Sequence, residues 1–421
     1  MKTKPIVSMV VAMLVVTLCA GGLPPIHAEG ERAPAGAARL GLVGDPDFDP
    51  NDLAPDMRLW YDRLWLAISS DSAYPNPDNA ASSGDLYLIG RSLNNHVTAL
   101  LTAFRVTGDL ALLEEADRLM ELARAELRDD DGDGFMNWRW LYDDSVESYY
   151  GNDYHKMDEI LAHSLVAAVA YALRQNEQFN PIFGEHADFW TDHLGNDFLG
   201  KWEARGDDID KSLAHPYSNF MRLYYYLYRL TGDEAYLDEA NYRADVLDGS
   251  MIEVDTGNGM AFTWDHRVVL PGKEPWGCQP TTYSLQTVLA FQDMHLENFN
   301  RYADDVYMTH YMVTFRELVL QYGTDAMAGN VCGEGEQSFG KFTISSLPAL
   351  AIWDNTGTFL EISDAAYYQF ESPNTPRRVF IPAYMLLALD GLPPVVESDV
   401  AYVATPASDW ASLPAREDAL P

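Results

Sequence analysis

Apolar residues recur along most of this chain with a period near 3.6, and alternating β-branched runs are few, which predicts a predominantly α-helical protein. The periodic stretches are Trp60 to Ser69, Leu86 to Phe104 followed by Leu110 to Leu127, and Met157 to Arg174 followed by Phe183 to Leu199. They continue with His215 to Leu230 and its partner Glu234 to Leu247, then Thr282 to Leu296 and Tyr302 to Tyr322. The last inner elements begin near Lys341 and Arg378. In the His215 stretch, Phe220, Leu223, Leu227 and Leu230 form one stripe. The first helix of each pair is the more apolar or aromatic, as expected of a helix packed on both sides. Gly257 to Leu270 departs from the helical period and reads as a strand or hairpin.

Two near-copies of one segment, Arg105 to Ala116 and Arg229 to Ala240, mark a repeated helical hairpin. In each, a periodic stretch ends at a glycine (Gly108, Gly232) suited to a left-handed helix terminus. The next residue is an aspartate (Asp109, Asp233) suited to cap a new helix. A chain of such hairpins is a toroid or a solenoid. The expected fold is all-α, an incomplete (α/α)6 or (α/α)7 barrel with a small β element near one rim. In such a ring the starts of the inner helices converge on one cleft.

Residues 1–28 read as a secretory signal peptide, with Lys2 and Lys4, an apolar run from Ile6 to Leu18, and a small-residue cleavage pattern before Glu29. The run is too short to span a bilayer. The rival is a lipid anchor at Cys19, against which Leu18 is bulky where a small residue is wanted. The expected location is secreted or periplasmic. Residues 29–52 form an extended arm, 53–392 one domain, and 393–421 an extended tail. No linker-like stretch interrupts the domain, and no other segment approaches transmembrane length.

The formal charge is −36, with 64 acidic against 28 basic residues, and loss of the leader makes it more acidic still. Nucleic acid is thereby an unfavourable partner. A polyanion of another kind is not excluded, since repulsion is screened over roughly 10 Å at 0.1 M salt and a cleft can be locally basic. Cys278 and Cys332 remain after the leader, either a disulfide or two unrelated buried thiols.

The starts of the inner helices supply Asn152 and His155, His215 and Asn219, Gln279 and Tyr283, Lys341, and Arg377 with Arg378. The loop before Tyr283 adds Trp264, His266 and Arg267. Singly, each is an ordinary cap or core group; together they match β-elimination across a uronic acid glycoside. The C5 proton is very weakly acidic until the adjacent carboxylate is neutralised, so Asn, Arg or His donors must face that carboxylate. Such stabilisation is worth about 10² to 10³ in rate per donor. A His or Tyr then takes the proton and a Tyr returns one to O4, with gains of roughly 10² to 10⁴. No metal or cofactor is required. Trp264, Trp276 and Tyr154 are candidate stacking platforms, and Arg377–Arg378 a candidate site for a second carboxylate.

In these residues the chain resembles the (α/α)-barrel polysaccharide lyases, especially the alginate and glucuronan lyases of polysaccharide lyase family 38 and, more distantly, family 5. Those enzymes place an Asn/His pair at one inner helix and an Arg and a Tyr close together further on. The resemblance implies His215 as C5 base or carboxylate neutraliser, Asn219 and Arg267 as carboxylate ligands, and Tyr283 as base and acid. His266 competes for the base role, and Asn95–His96 fits the same Asn/His pattern. The implied substrate is an anionic polysaccharide: alginate, polymannuronate or glucuronan.

Asp129, Asp131 and Asp133, followed by Gly134, form the first half of a calcium loop, but Trp140 stands where an EF-hand needs its bidentate Glu. The expectation is a structural calcium loop or a plain acidic turn. Two other functional classes compete. A glycoside hydrolase would use two carboxylic acids, with Asp143–Asp144 and Asp158–Glu159 as candidates. A non-catalytic glycan-binding protein would need aromatic platforms alone.

Overall fold

The computed structural model describes residues 41–70, 76–141, 155–206, 211–320, 326–338, 346–370 and 379–390. The leader, the C-terminal tail, Asp143, Asp144, Asn152, Tyr154, Lys341, Arg377 and Arg378 lie outside the described residues.

The chain is mostly helical. Its first elements are α1 (Pro55–Ile68), α2 (Pro77–Ala81), α3 (Asn94–Thr107), α4 (Leu110–Arg124), α5 (Lys156–Gln175), α6 (Pro181–Asp192), α7 (Gly200–Ala204), α8 (Ala214–Thr231) and α9 (Glu234–Asp248). The repeat is a pair of helical hairpins. Gly108 and Gly232 end α3 and α8 at φ 70° and 72°, and Asp109 and Asp233 each accept the backbone N–H two residues on, capping α4 and α9.

The hairpin β1 (Met251–Asp255) and β2 (Met260–Trp264) begins earlier than the sequence pattern suggests, because Gly257 and Gly259 take positive φ and make the turn. Beyond it lie α10 (Thr281–Leu296), α11 (Asp305–Val313), a second short hairpin of β3 (Ala326–Ala328) with β4 (Glu336–Ser338), α12 (Thr358–Phe370) and α13 (Phe380–Asp390). Cys278 and Cys332 are joined in a disulfide, which ties the loop after β2 to the segment between β3 and β4.

Three expected helices are interrupted. Leu86 to Phe104 begins with a π-helical turn at Leu88–Leu93, where Gly90 packs so closely on α5 that a Cβ would lie 2.5 Å from the Asp158 carbonyl oxygen. Phe183 to Leu199 widens into a π turn at His193–Leu199. Tyr302 to Tyr322 divides into a 3₁₀ turn at Asn300–Ala303, α11, and a π turn at Thr314–Val319. There the Thr314 hydroxyl bonds both the N–H and the C=O of Phe262, stitching this element to β2. The inner element expected from Lys341 is described only as a 3₁₀ segment, Leu347–Trp353.

Packing separates two kinds of helix. In α5 every residue from Asp158 to Leu173 is buried, whereas α9 buries only Ala240, Arg243, Ala244 and Leu247. The well-buried elements are neighbours of one another: α3 packs on α5, α5 on α8, α8 on α10, α10 on the 3₁₀ segment, that segment on α13, and α13 on α3. Their partners α4, α6 and α9 each pack on the preceding inner helix, and α1 and α12 pack on α13. The end of the expected N-terminal arm is not free. The Gly44 N–H donates to Asn176 Oδ1 at 2.6 Å, Asn176 Nδ2 to the Leu42 carbonyl at 2.8 Å, and the Asp45 N–H to the Gly108 carbonyl at 2.8 Å. Residues 42–45 therefore lie across the C-terminal ends of α3 and α5. Among the described residues no helix is long and apolar enough to cross a membrane.

Candidate functional site

Two small cavities lie among the inner helices. The first, about 30 Å³, is lined by the early turns of those elements: Arg91, Asn94, Asn95 and Thr98 before and on α3, Leu161 on α5, Asn219 and Arg222 on α8, Gln286 and Leu289 on α10, and Phe380 on α13. The second, about 20 Å³, lies roughly two turns further along the same helices and is closed by Leu42 of the arm. Thr98, Arg222 and Leu289 line both.

The charges of the two cavities differ. In the deeper one Arg222 Nε and Arg105 Nη2 donate to Asp293 at 2.6 and 2.8 Å, Arg105 also pairs with Glu297 at 2.6 Å, and Tyr226 donates to Asp293 at 2.9 Å. These charges satisfy one another. The described lining of the first cavity holds Arg91 and Arg222 and no carboxylate, although Arg222 is the same side chain that pairs with Asp293.

Arg91 is the cation that the sequence reading missed. Its Nε donates to Asp158 at 2.9 Å, and its side chain is 17% exposed. Burial disfavours the Arg91 cation, but Asp158 outweighs burial and keeps it charged, and Tyr283 lies within its electrostatic reach. The signal available in the sequence is the spacing Arg91, Asn94, Asn95, Thr98, a polar stripe at helical period in an otherwise apolar stretch.

Above the cavity, at the starts of α8 and α10, three rings meet. His215 stacks on Tyr283 with centroids 4.6 Å apart, His266 lies 5.4 Å from Tyr283, and His215 and His266 are 5.8 Å apart. His215 is buried, with Nε2 3.3 Å from the Met157 sulfur and no partner at Nδ1. Burial, with the positive charges of His266 and Arg91, holds its imidazole pKa well below the usual value. His266 is half-buried, and burial lowers its pKa too. At neutral pH both imidazoles are therefore neutral; burial disfavours the His215 cation strongly, and the half-buried His266 is the better placed of the two to accept a proton. One turn beyond His215, Asn219 reaches the cavity while its Nδ2 donates to the His215 carbonyl at 2.8 Å.

Other sequence candidates are placed differently. Arg267 stands apart from the three rings: its guanidinium lies over Trp276 at 4.6 Å, and Nη1 reaches the Glu274 carbonyl at 3.4 Å. Trp264 is 1% exposed and donates its indole N–H to Gln279, which is itself buried, so this pair belongs to the wall of the site and offers no ring face to a sugar. His155 is the N-cap of α5, stacked on Trp140 at 4.5 Å with Nδ1 2.9 Å from Asp158. The second Asn/His pair is divided: Asn95 lines the cavity, whereas His96 is buried among other groups with its pKa lowered by burial to about 4. Asp158 and Glu159 are both fully buried, Asp158 by Arg91, His155 and Trp140, and Glu159 by Asn137, Lys201 and Trp202. Neither is free to act as a hydrolytic acid.

The Asp129, Asp131 and Asp133 carboxylates are exposed and close enough to share one cation, but Arg205 already donates to Asp133 at 2.7 Å and to Asp131 at 3.1 Å. A second group, Asp117, Glu121 and His186, joins α4 to α6. There Nδ1 of His186 meets Asp117 at 2.8 Å and Nε2 approaches Glu121 at 3.6 Å, so one ring spans two acids.

The chain matches no protein-family model, and no curated protein is significantly similar to it.

Proposed function

We propose that this protein is a secreted polysaccharide lyase that cleaves a uronic-acid-containing polysaccharide by β-elimination, and that its cyclic run of inner helices is an (α/α)6 barrel. The observation that carries this reading is the donor set of the first cavity: its described lining presents Arg91 and Arg222, each held from behind by a carboxylate outside the lining, together with Asn94, Asn95, Asn219 and Gln286, and no carboxylate of its own. A uronate carboxylate is the kind of group such a lining receives, and Arg91 and Asn219 are the donors set to neutralise it. His266 or Tyr283 then takes the C5 proton, and Tyr283 protonates the leaving O4. Buried His215 orients Tyr283 by stacking on it. The disulfide accords with an oxidising, extracytoplasmic compartment.

Incubation of the protein with alginate, polymannuronate and glucuronan, followed by ultraviolet absorbance of a new C4=C5 double bond, tests the proposal. A rise with at least one polymer is expected, and Tyr283→Phe should abolish it while leaving the fold intact. New reducing ends without that absorbance would overturn the reading in favour of hydrolysis. Neither signal would favour a binding protein.

A further inference from the structure

From the site outward, the rings continue. Tyr283 contacts His266, and His266 stacks on Trp276 at 5.3 Å and 24° between planes. The first member of the row, His215, is buried, Tyr283 and His266 are half-buried, and Trp276 is 60% exposed. A lone exposed indole is ordinary at a protein surface, but this one continues a row of rings that begins inside the site, and it is held firmly. The backbone N–H groups of Trp276 and Gly277 both donate to the Asp265 carboxylate, at 2.6 to 3.0 Å, and Cys278 anchors the same loop through its disulfide.

Charge gathers at the same place. The Arg267 guanidinium covers Trp276 at 4.6 Å, and its Nε is buried without a partner. Lys211 is half-buried before α8, on a segment that runs antiparallel beside Arg267: Leu213 is bridged to Arg267, and the Val268 N–H donates to the Ser212 carbonyl at 2.8 Å. Its ammonium pKa is lowered by burial and then by the cations Lys156 and Arg267. Asp265, the adjacent acid, is occupied by backbone N–H groups. Mutually repelling cations beside a fixed, exposed indole lower their energy when an anion arrives.

We propose that Trp276, Arg267 and Lys211 form a second sugar subsite next to the reacting one, in which the indole carries a pyranose ring and the two cations receive that sugar's carboxylate. The substrate is then a run of consecutive uronates, and a glycan in which uronates alternate with neutral sugars is bound poorly. This rests on the uronate reading of the site, but binding tests it separately from turnover.

The experiment is calorimetric titration of wild type, Trp276→Ala, Trp276→Phe and Lys211→Ala with hexamannuronate and hexaglucuronate, with cellohexaose as the neutral probe, alongside the absorbance assay. Wild type should bind at least one acidic hexamer and not the neutral one. Trp276→Ala should weaken binding about tenfold, as loss of a stacking platform does, Trp276→Phe should recover most of it, and Lys211→Ala should weaken the acidic ligand several-fold. In turnover, Trp276→Ala should raise KM by a similar factor with a much smaller fall in kcat. Binding that depends on Trp276 without any turnover would sink the lyase reading and leave the subsite standing. Affinities equal to wild type in Trp276→Ala and Lys211→Ala would overturn the subsite, whatever the turnover.

Discussion

Replacing Asp158 by asparagine should both destabilise the protein and release its cleft cation. Asp158 is fully buried; one carboxylate oxygen accepts Arg91 Nε at 2.9 Å, and the other accepts Trp140 Nε1 at 2.9 Å with His155 Nδ1 also at 2.9 Å. Burial alone would raise its carboxyl pKa, but His155 and Arg91 outweigh burial and hold it below the usual range. Asparagine keeps the shape, with one oxygen replaced by an NH₂ group. Whichever way the amide turns, that NH₂ faces a donor, Arg91 on one side or Trp140 on the other. One buried donor is left unpaired, at about 1–3 kcal/mol. Arg91 also loses its counter-charge, which brings the total to about 3–5 kcal/mol, the range for breaking a buried pair. At roughly 2 cal/mol/K of unfolding entropy per residue, the thermal midpoint of a chain this long falls by about 4–6 °C. The folded pKa is depressed, so the contribution is complete above the ordinary carboxylate pKa of 3.8 and is lost only as pH falls below it. Turnover should fall by about 10², the effect of misplacing one donor. Thermal melts of Asp158→Asn, Arg91→Met and the double variant provide the check. The double variant should lose at least about 1 kcal/mol less than the sum of the singles. Additive losses would refute the claim that Asp158 acts on the cleft through Arg91.

Gly90→Ala should cost about 1–3 kcal/mol, because its Cβ would meet backbone of α5 at 2.5 Å and no rotamer change can relieve that; an unchanged denaturant midpoint would show that the π turn shifts freely. Removing the disulfide as Cys278→Ser with Cys332→Ser should cost about 4 kcal/mol by the loop-entropy argument, since 54 residues separate the pair, and a loss under about 1 kcal/mol in urea unfolding would count against it. Buried His96 has a folded pKa near 4 against 6.5 unfolded, so it favours the folded state fully above pH 6.5 and progressively less as pH falls toward 4. Stability measured from pH 7 to 4.5 should therefore fall less steeply in His96→Leu than in wild type, by up to about 1.4 kcal/mol per pH unit from this one group; parallel curves would show that His96 is already accessible to protons.

How much of this was legible beforehand follows from the range of the forces involved. Helical periodicity and caps are local, so α3, α4, α5, α8, α9 and α10 agree with the sequence pattern to within a few residues, apart from the π turn that opens the first stretch. The paired Gly–Asp boundaries are correct because a left-handed glycine and a capping aspartate are properties of neighbouring residues. His215, His266 and Tyr283 could be proposed together because His215 and Tyr283 stand at the starts of inner helices and His266 lies in the loop that leads to the second of them. Burial and partnership are not local. Trp264 and Trp276 read alike in sequence, yet one is 1% and the other 60% exposed, because the first is packed inside with its indole N–H on Gln279, whereas the second meets only His266 and Arg267 at the rim. Arg91 and Arg267 exchanged places for a similar reason: the π turn around Gly90 brings Arg91 to Asp158 and the cavity, while the loop after β2 carries Arg267 out to Trp276. Periodicity determined which residues could share a face, and only the packing of distant segments decided which of those faces opens onto the cleft.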